Sequence, residues 1–192
     1  IFPKKCPSCG SKTIKEFNFI TKKNDAVRRC TIESYECEKI SIEKLKHFVS
    51  KEAFNIDGFG KKIVENFYKL QLIKLPQDIF KLDFKKIESL EGWGSQSMEN
   101  LKYSINQRKN ISLERLIYSL GIRHIGLENA KILSKYFKSF PKFISFSNET
   151  TSDDILNIDG IGETQLKSVK KFFENKVNLN ILKELQKILE VK

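Results

Sequence analysis

The feature that most limits what this chain can fold into is a short glycine-centred element that comes back four times. Ile56-Asp57-Gly58-Phe59-Gly60, Leu90-Glu91-Gly92-Trp93-Gly94 and Ile158-Asp159-Gly160-Ile161-Gly162 share one pattern, and Ile122-Arg123-His124-Ile125-Gly126 follows it with histidine at the first glycine position. The last glycines of the four lie 34, 32 and 36 residues apart, a period that marks an array of supersecondary units. Each unit reads as helix, tight hairpin, helix. Apolar residues keep helical spacing on either side of the first hairpin, with Ile42, Leu45, Phe48 and Val49 before it and Ile63, Val64, Phe67 and Leu70 after it.

Two glycines one residue apart let the backbone take positive φ and admit a ligand where a Cβ would otherwise stand. The second glycine opens a new helix, whose unpaired N–H groups and positive dipole end suit an anion such as a phosphate. The residue between them is always large and apolar (Phe59, Trp93, Ile125, Ile161), which suits a plug anchoring the hairpin between its helices. A dinucleotide-binding loop is excluded: Ile63 falls where that motif needs its third glycine, and no β-branched strand precedes any hairpin. The pattern resembles the helix-hairpin-helix motif, a binder of the DNA backbone without sequence preference. The residues placed to touch DNA are therefore Gly58, Gly60, Gly92, Gly94, Gly126, Gly160 and Gly162, with Lys61, Lys62, Ser95 and Thr164 just after the glycines and Arg123 and His124 at the third tip. Each has a plainer alternative. Lys61 and Lys62 read equally as a solvated helix face, the third turn as a degenerate one that binds phosphate less well or serves packing alone, and Trp93 as a core plug. Asp57, Glu91 and Asp159 read as turn formers, and His47 as a surface or boundary residue without a role.

Lysine and arginine outnumber aspartate and glutamate by 35 to 24, a net charge of +11 that points to a polyanionic partner. The chain does not begin with Met, and no apolar targeting segment or membrane-spanning run is found along it, so a piece of a longer cytoplasmic protein is expected.

All four cysteines lie within the first 37 residues. Cys6-Pro7-Ser8-Cys9-Gly10 is a knuckle, and Cys30 and Cys37 form a looser second pair after twenty intervening residues. Zinc takes four thiolates in a tetrahedron, which two cysteine pairs joined by a β-hairpin supply; the alternative is two disulfides in a secreted protein. Thr13 to Ile20 and Ala26 to Arg29 alternate enough to make two short strands. So small a module cannot bury a real core, so a metal would carry much of its folding free energy in a structural role. The expected division is a zinc module over 1–39 and a mainly α-helical, four-fold helix-hairpin-helix array over 40–192.

Within the array, Ser41 reads as the N-cap of a helix from Ile42 to about Lys51, Pro76 as a first-turn proline, and Phe84 to Leu90 as the lead into the second hairpin. Met98, Leu101 and Ile105 face inward in the next helix. Ser112 caps Leu113 to Leu120, and helices follow at Leu127 to Phe137, Phe140 to Phe146, Gln165 to Phe173 and Leu179 to Leu189. Thr150 to Asp154 reads as a loop before a short helix into the fourth hairpin, and no strand is expected after residue 40.

The order of these parts, with Leu45-Lys46-His47-Phe48-Val49-Ser50 and Leu116-Ile117-Tyr118-Ser119-Leu120-Gly121-Ile122-Arg123-His124-Ile125-Gly126, closely resembles the C-terminal half of bacterial NAD-dependent DNA ligases over essentially the whole chain. The resemblance implies that Cys6, Cys9, Cys30 and Cys37 hold zinc and that the hairpin glycines lie along the minor groove of nicked double-stranded DNA. It also implies that NAD and magnesium serve domains outside this segment in DNA replication and repair. The family's nucleotidyl lysine, set in Lys-x-Asp-Gly, has no match: Asn55-Ile56 and Asn157-Ile158 precede the two Asp-Gly pairs. The segment alone is therefore expected to be inactive. The rival readings are the DNA-binding module of a repair nuclease or glycosylase, and a non-enzymatic scaffold in which the hairpins only connect helices.

Overall fold

A computed structural model of the chain describes residues 3–18, 22–32, 34–146 and 158–192. The amino-terminal part is a ribbon of two-residue strands. β1 (Thr13–Ile14) pairs antiparallel with β4 (Arg29–Cys30), and β2 (Phe17–Asn18) pairs with β3 (Lys23–Asn24). The expected strand residues Phe19 and Ile20 lie outside the described residues, as do Thr150 to Asp154 and the helix expected after them.

Helices make up the rest. α1 (Glu38–Val49) leads into the first hairpin and α2 (Lys61–Lys69) leaves it. A 3-10 helix (Pro76–Lys81), with its proline in the first turn, and α3 (Phe84–Glu88) carry the chain to the second hairpin and α4 (Ser95–Gln107). β5 (Asn110–Ile111) and α5 (Leu113–Ser119) precede the third hairpin, followed by α6 (Leu127–Phe137) and α7 (Phe140–Ser145). The fourth hairpin opens α8 (Glu163–Glu174), and α9 (Lys176–Ile188) with β6 (Glu190–Val191) ends the described chain.

Three expectations are corrected. Ser41 does not cap the first helix, which starts three residues earlier at Glu38 with Cys37 as its N-cap. Ser41 is buried, and its hydroxyl donates to the carbonyls of Tyr35 (2.8 Å) and Cys37 (3.0 Å). Ser112 does stand at the N-cap of α5, but its side chain makes no capping bond and its Oγ is buried without a partner. A strand pair does occur after residue 40: β5 and β6 run parallel, and Lys192 N–H donates to Ile111 O (3.0 Å) while Leu113 N–H donates to Lys192 O (2.8 Å). Two-residue strands are too short to show a period of two, so the pattern of apolar residues gave no sign of them.

One continuous apolar core joins the helices, and aromatic rings dominate it. Phe48 stacks on Phe54 with centroids 4.2 Å apart, while Phe143 and Phe146 both lie against Phe173 at 5.1 and 5.4 Å. Phe48, Phe54, Phe67 and Phe143 are fully buried, each contributing about 2–3 kcal/mol relative to exposure. Polar ties set the helices' relative positions at the edges. Lys46 bridges Glu43 (2.7 Å) and Glu65 (2.6 Å) between α1 and α2, His47 Nε2 meets Tyr118 O at 2.8 Å, and Arg115 Nε donates to Ala53 O at 2.8 Å. His47 is thus the boundary residue expected, half-buried against α5.

The hairpin glycines differ in what they tolerate. Gly160 has φ +91°, and a Cβ there would lie 2.6 Å from Ile132 Cδ1, whereas Gly126 has φ −85° and open space around its Cβ position. Gly160→Ala should cost about 1–3 kcal/mol and Gly126→Ala less than about 1 kcal/mol, read as shifts in urea midpoint at constant slope.

Candidate nucleic-acid interface and metal centre

Each hairpin begins with the same turn. The N–H of Phe59, Trp93, Ile125 and Ile161 donates to the carbonyl three residues back, on Ile56, Leu90, Ile122 and Ile158, at 3.2, 3.2, 3.1 and 3.1 Å. The residue just before the plug is left-handed in all four: φ is +78° at Gly58, +84° at Gly92, +60° at His124 and +91° at Gly160. A turn with positive φ only at its third position is a type II turn, which favours glycine there and tolerates few other residues. His124 adopts the conformation nonetheless, so the third turn is not degenerate in shape.

The plugs behave as their size suggests. Phe59, Ile125 and Ile161 are buried, while Trp93 is half-buried with its ring 5.4 Å from Phe67. The second glycine is an extended N-cap in every unit, with φ between −69° and −101°. Its carbonyl accepts the first helical bond, from Val64, Met98, Ala130 and Leu166 at 3.1, 3.1, 2.9 and 3.0 Å. With the plug in the core, the glycines either side of it are exposed in all four hairpins, apart from the third, where exposed His124 replaces the first of them.

The four helix starts are not equivalent. No side chain caps α2, α4 or α6, and a Cβ at Gly60, Gly94 or Gly126 would meet nothing within 4 Å. The first turns of α2 and α4 carry no acid, and Lys61, Lys62 and Ser95 are exposed there. In contrast, α6 has Glu128 and α8 has Glu163 in the first turn, where a carboxylate already complements the dipole. At the fourth hairpin Gly162 N–H donates to Gln165 Oε1 (3.2 Å), and exposed Thr164 follows.

The hairpins also couple in pairs. Gly58 and Gly92 line one groove of about 580 Å³ with Trp93, Ser97 and Asn100. The third and fourth units interlock, since Asn129 Nδ2 on α6 donates to Gly160 O at 3.0 Å beside Ile132. Arg123 does not stand alone at its tip: its guanidinium donates to the carboxylate of Glu16 in the cysteine module. Glu16, Asn129 and Ile132 had no signal in the sequence, because each acts only through a contact made by the fold, whereas Gln165 makes a local contact three residues after the N-cap.

The four cysteines converge. Their Sγ atoms all lie within 4.8 Å of one another, and no disulfide joins any of them. A zinc tetrathiolate with Zn–S of about 2.3 Å needs sulfurs about 3.8 Å apart, so the cluster fits a metal ion of this kind. Cys6 and Cys37 are buried, and Cys9 and Cys30 are half-buried with their sulfurs 3.5 Å apart. Hydrogen bonds from Ser11 pull the Cys9 thiol down to about 6, while desolvation pushes Cys30 up to about 12 despite the N–H of Ile32 at 3.4 Å. An ion there would link the knuckle, β4 and the first turn of α1, because Cys37 is that helix's N-cap. With four protein thiolates it would leave no position for a reacting water, so its contribution would be a cross-link.

Residues 115–182, spanning the third and fourth hairpins, match the helix-hairpin-helix motif family. Over its whole length the chain is 64% identical to a DNA ligase of Pelagibacter ubique (strain HTCC1062). It is also 44% identical to one of Ehrlichia chaffeensis and 41% identical to one of Wolbachia pipientis wMel, again across all of the chain. The chain is homologous to a segment of the DNA ligases. It spans 28%, 28% and 29% of the length of these relatives. The DNA ligase homology covers the first two hairpins and the cysteine module as well as the matched motif.

Replacing buried Cys37 by Ser should abolish tight zinc uptake, read by chelator competition. It should also loosen residues 3–18 and 22–32 while leaving the helical circular dichroism signal of the array largely intact.

Proposed function

We propose that this chain is the DNA-holding C-terminal part of an NAD-dependent DNA ligase, which seals nicks in duplex DNA in replication and repair in the cytoplasm. The hairpins grip the sugar-phosphate backbone of nicked double-stranded DNA. Adenylation with NAD and magnesium takes place in parts of the enzyme outside this chain, which alone does not seal a nick. Residues 1–39 form the zinc module on Cys6, Cys9, Cys30 and Cys37, and residues 40–192 form the DNA-binding array.

The observation that carries this reading is the exposed, uncapped glycine start of α2 and α4, with open space where a Cβ would stand. A phosphate oxygen brought there meets helix N–H groups directly, with Lys61 and Lys62 beside the first of them. The net charge of +11 and the homology to DNA ligases support the same partner. Gly58, Gly92 and Gly160 set the turns, while Gly60, Gly94, Ser95 and Thr164 offer amide and hydroxyl donors.

The test is binding to nicked duplex across a salt series. Log affinity should fall linearly with log salt by about 0.9 per phosphate neutralised, with little dependence on sequence. Gly60→Ala and Gly94→Ala, which the fold accommodates, should each weaken binding about tenfold, about 1.4 kcal/mol, by placing a methyl where the phosphate sits. A flat salt slope, or alanine variants that bind like the parent, would overturn the reading. Cleavage of nicked or abasic duplex would point instead to a nuclease or glycosylase.

A further inference from the structure

We propose that the third hairpin is the docking point of the cysteine module and not a phosphate grip. In the other three hairpins the residue before the left-handed position is an acid: Asp57, Glu91 and Asp159. In the third it is Arg123, and the carboxylate that meets its guanidinium comes from Glu16, 107 residues away in sequence. A reversal of charge at one turn of four, answered by the opposite charge from a separate module, is what a docking contact requires.

The module presents Glu16 from the short connection between β1 and β2, where its carbonyl accepts from Asp25 N–H at 2.7 Å. The Arg123 and Glu16 side chains are 32% and 29% exposed, so the pair is partly shielded from water and from salt. The module has a second attachment at its carboxyl end, where Cys37 caps α1 and Lys39 N–H donates to Ser8 Oγ at 3.3 Å. One attachment alone would be a pivot; two set an orientation. Phosphate binding at this hairpin is disfavoured on two counts: its cation is already engaged, and Glu128 lies in the first turn of α6.

The experiment compares amide hydrogen exchange of residues 3–18 and 22–32 in the 192-residue chain, its Glu16→Gln and Arg123→Gln variants, and the charge-swapped Glu16→Arg, Arg123→Glu double variant. Each single variant should speed exchange in the module about threefold or more with the helical signal unchanged, and the swap should restore protection. Arg123→Gln should weaken nicked-duplex binding less than about threefold. Unchanged exchange in the single variants, no restoration by the swap, or a tenfold loss of duplex affinity in Arg123→Gln with the module still protected would each overturn the docking role. A chain that binds no duplex at all would sink the proposed function, while the exchange comparison would still decide the docking.

Discussion

One backbone constraint organises this molecule: a left-handed residue at the third position of each hairpin turn. Positive φ at Gly58, Gly92, His124 and Gly160 reverses the chain within four residues. The next side chain therefore points into the core, and the residue after it begins a helix. Burying Phe59, Ile125 and Ile161 and exposing the glycines that follow them are one event seen from two sides. The energy that holds the plug in the core also holds the helix amides out toward solvent.

From this shared turn the four units diverge through their surroundings. The first two open onto a common groove, and their helices start without acids, beside lysines or neutral side chains. The last two spend more of their surface internally: Asn129 and Ile132 close on Gly160, Gln165 takes the amide of Gly162, and Glu16 takes Arg123. The cysteine cluster joins this arrangement through Cys37, which is both a candidate metal ligand and the residue from which α1 starts. A metal bound there would make the ribbon and the first helix one mechanical unit.

Much of this was legible because the information is local. Gly-x-Gly with a large residue between the glycines encodes turn, plug and helix start within five positions, and helical periodicity placed α6, α7, α8 and α9 to within a few residues. What stayed hidden is non-local or below the length at which a pattern exists. Ser41 looks like an N-cap until Cys37 is seen to start the helix, and β5 with β6 pair across some eighty residues through two residues each. His124 looked like a broken turn, since a sequence records the residue type and not the φ that its surroundings impose. Arg123 read as a candidate DNA contact at the third tip because nothing near it in sequence announces Glu16.

The central claim is that helix-start amides at the glycine elbows meet the phosphates of a duplex, and following backbone amide resonances while nicked duplex is added tests it most directly. The account predicts that the largest shift changes fall at Gly60 to Lys62 and Gly94 to Gln96, where helix starts are uncapped and free of acids. Changes confined to the lysines of α8 and α9, with those elbow amides unmoved, would contradict it.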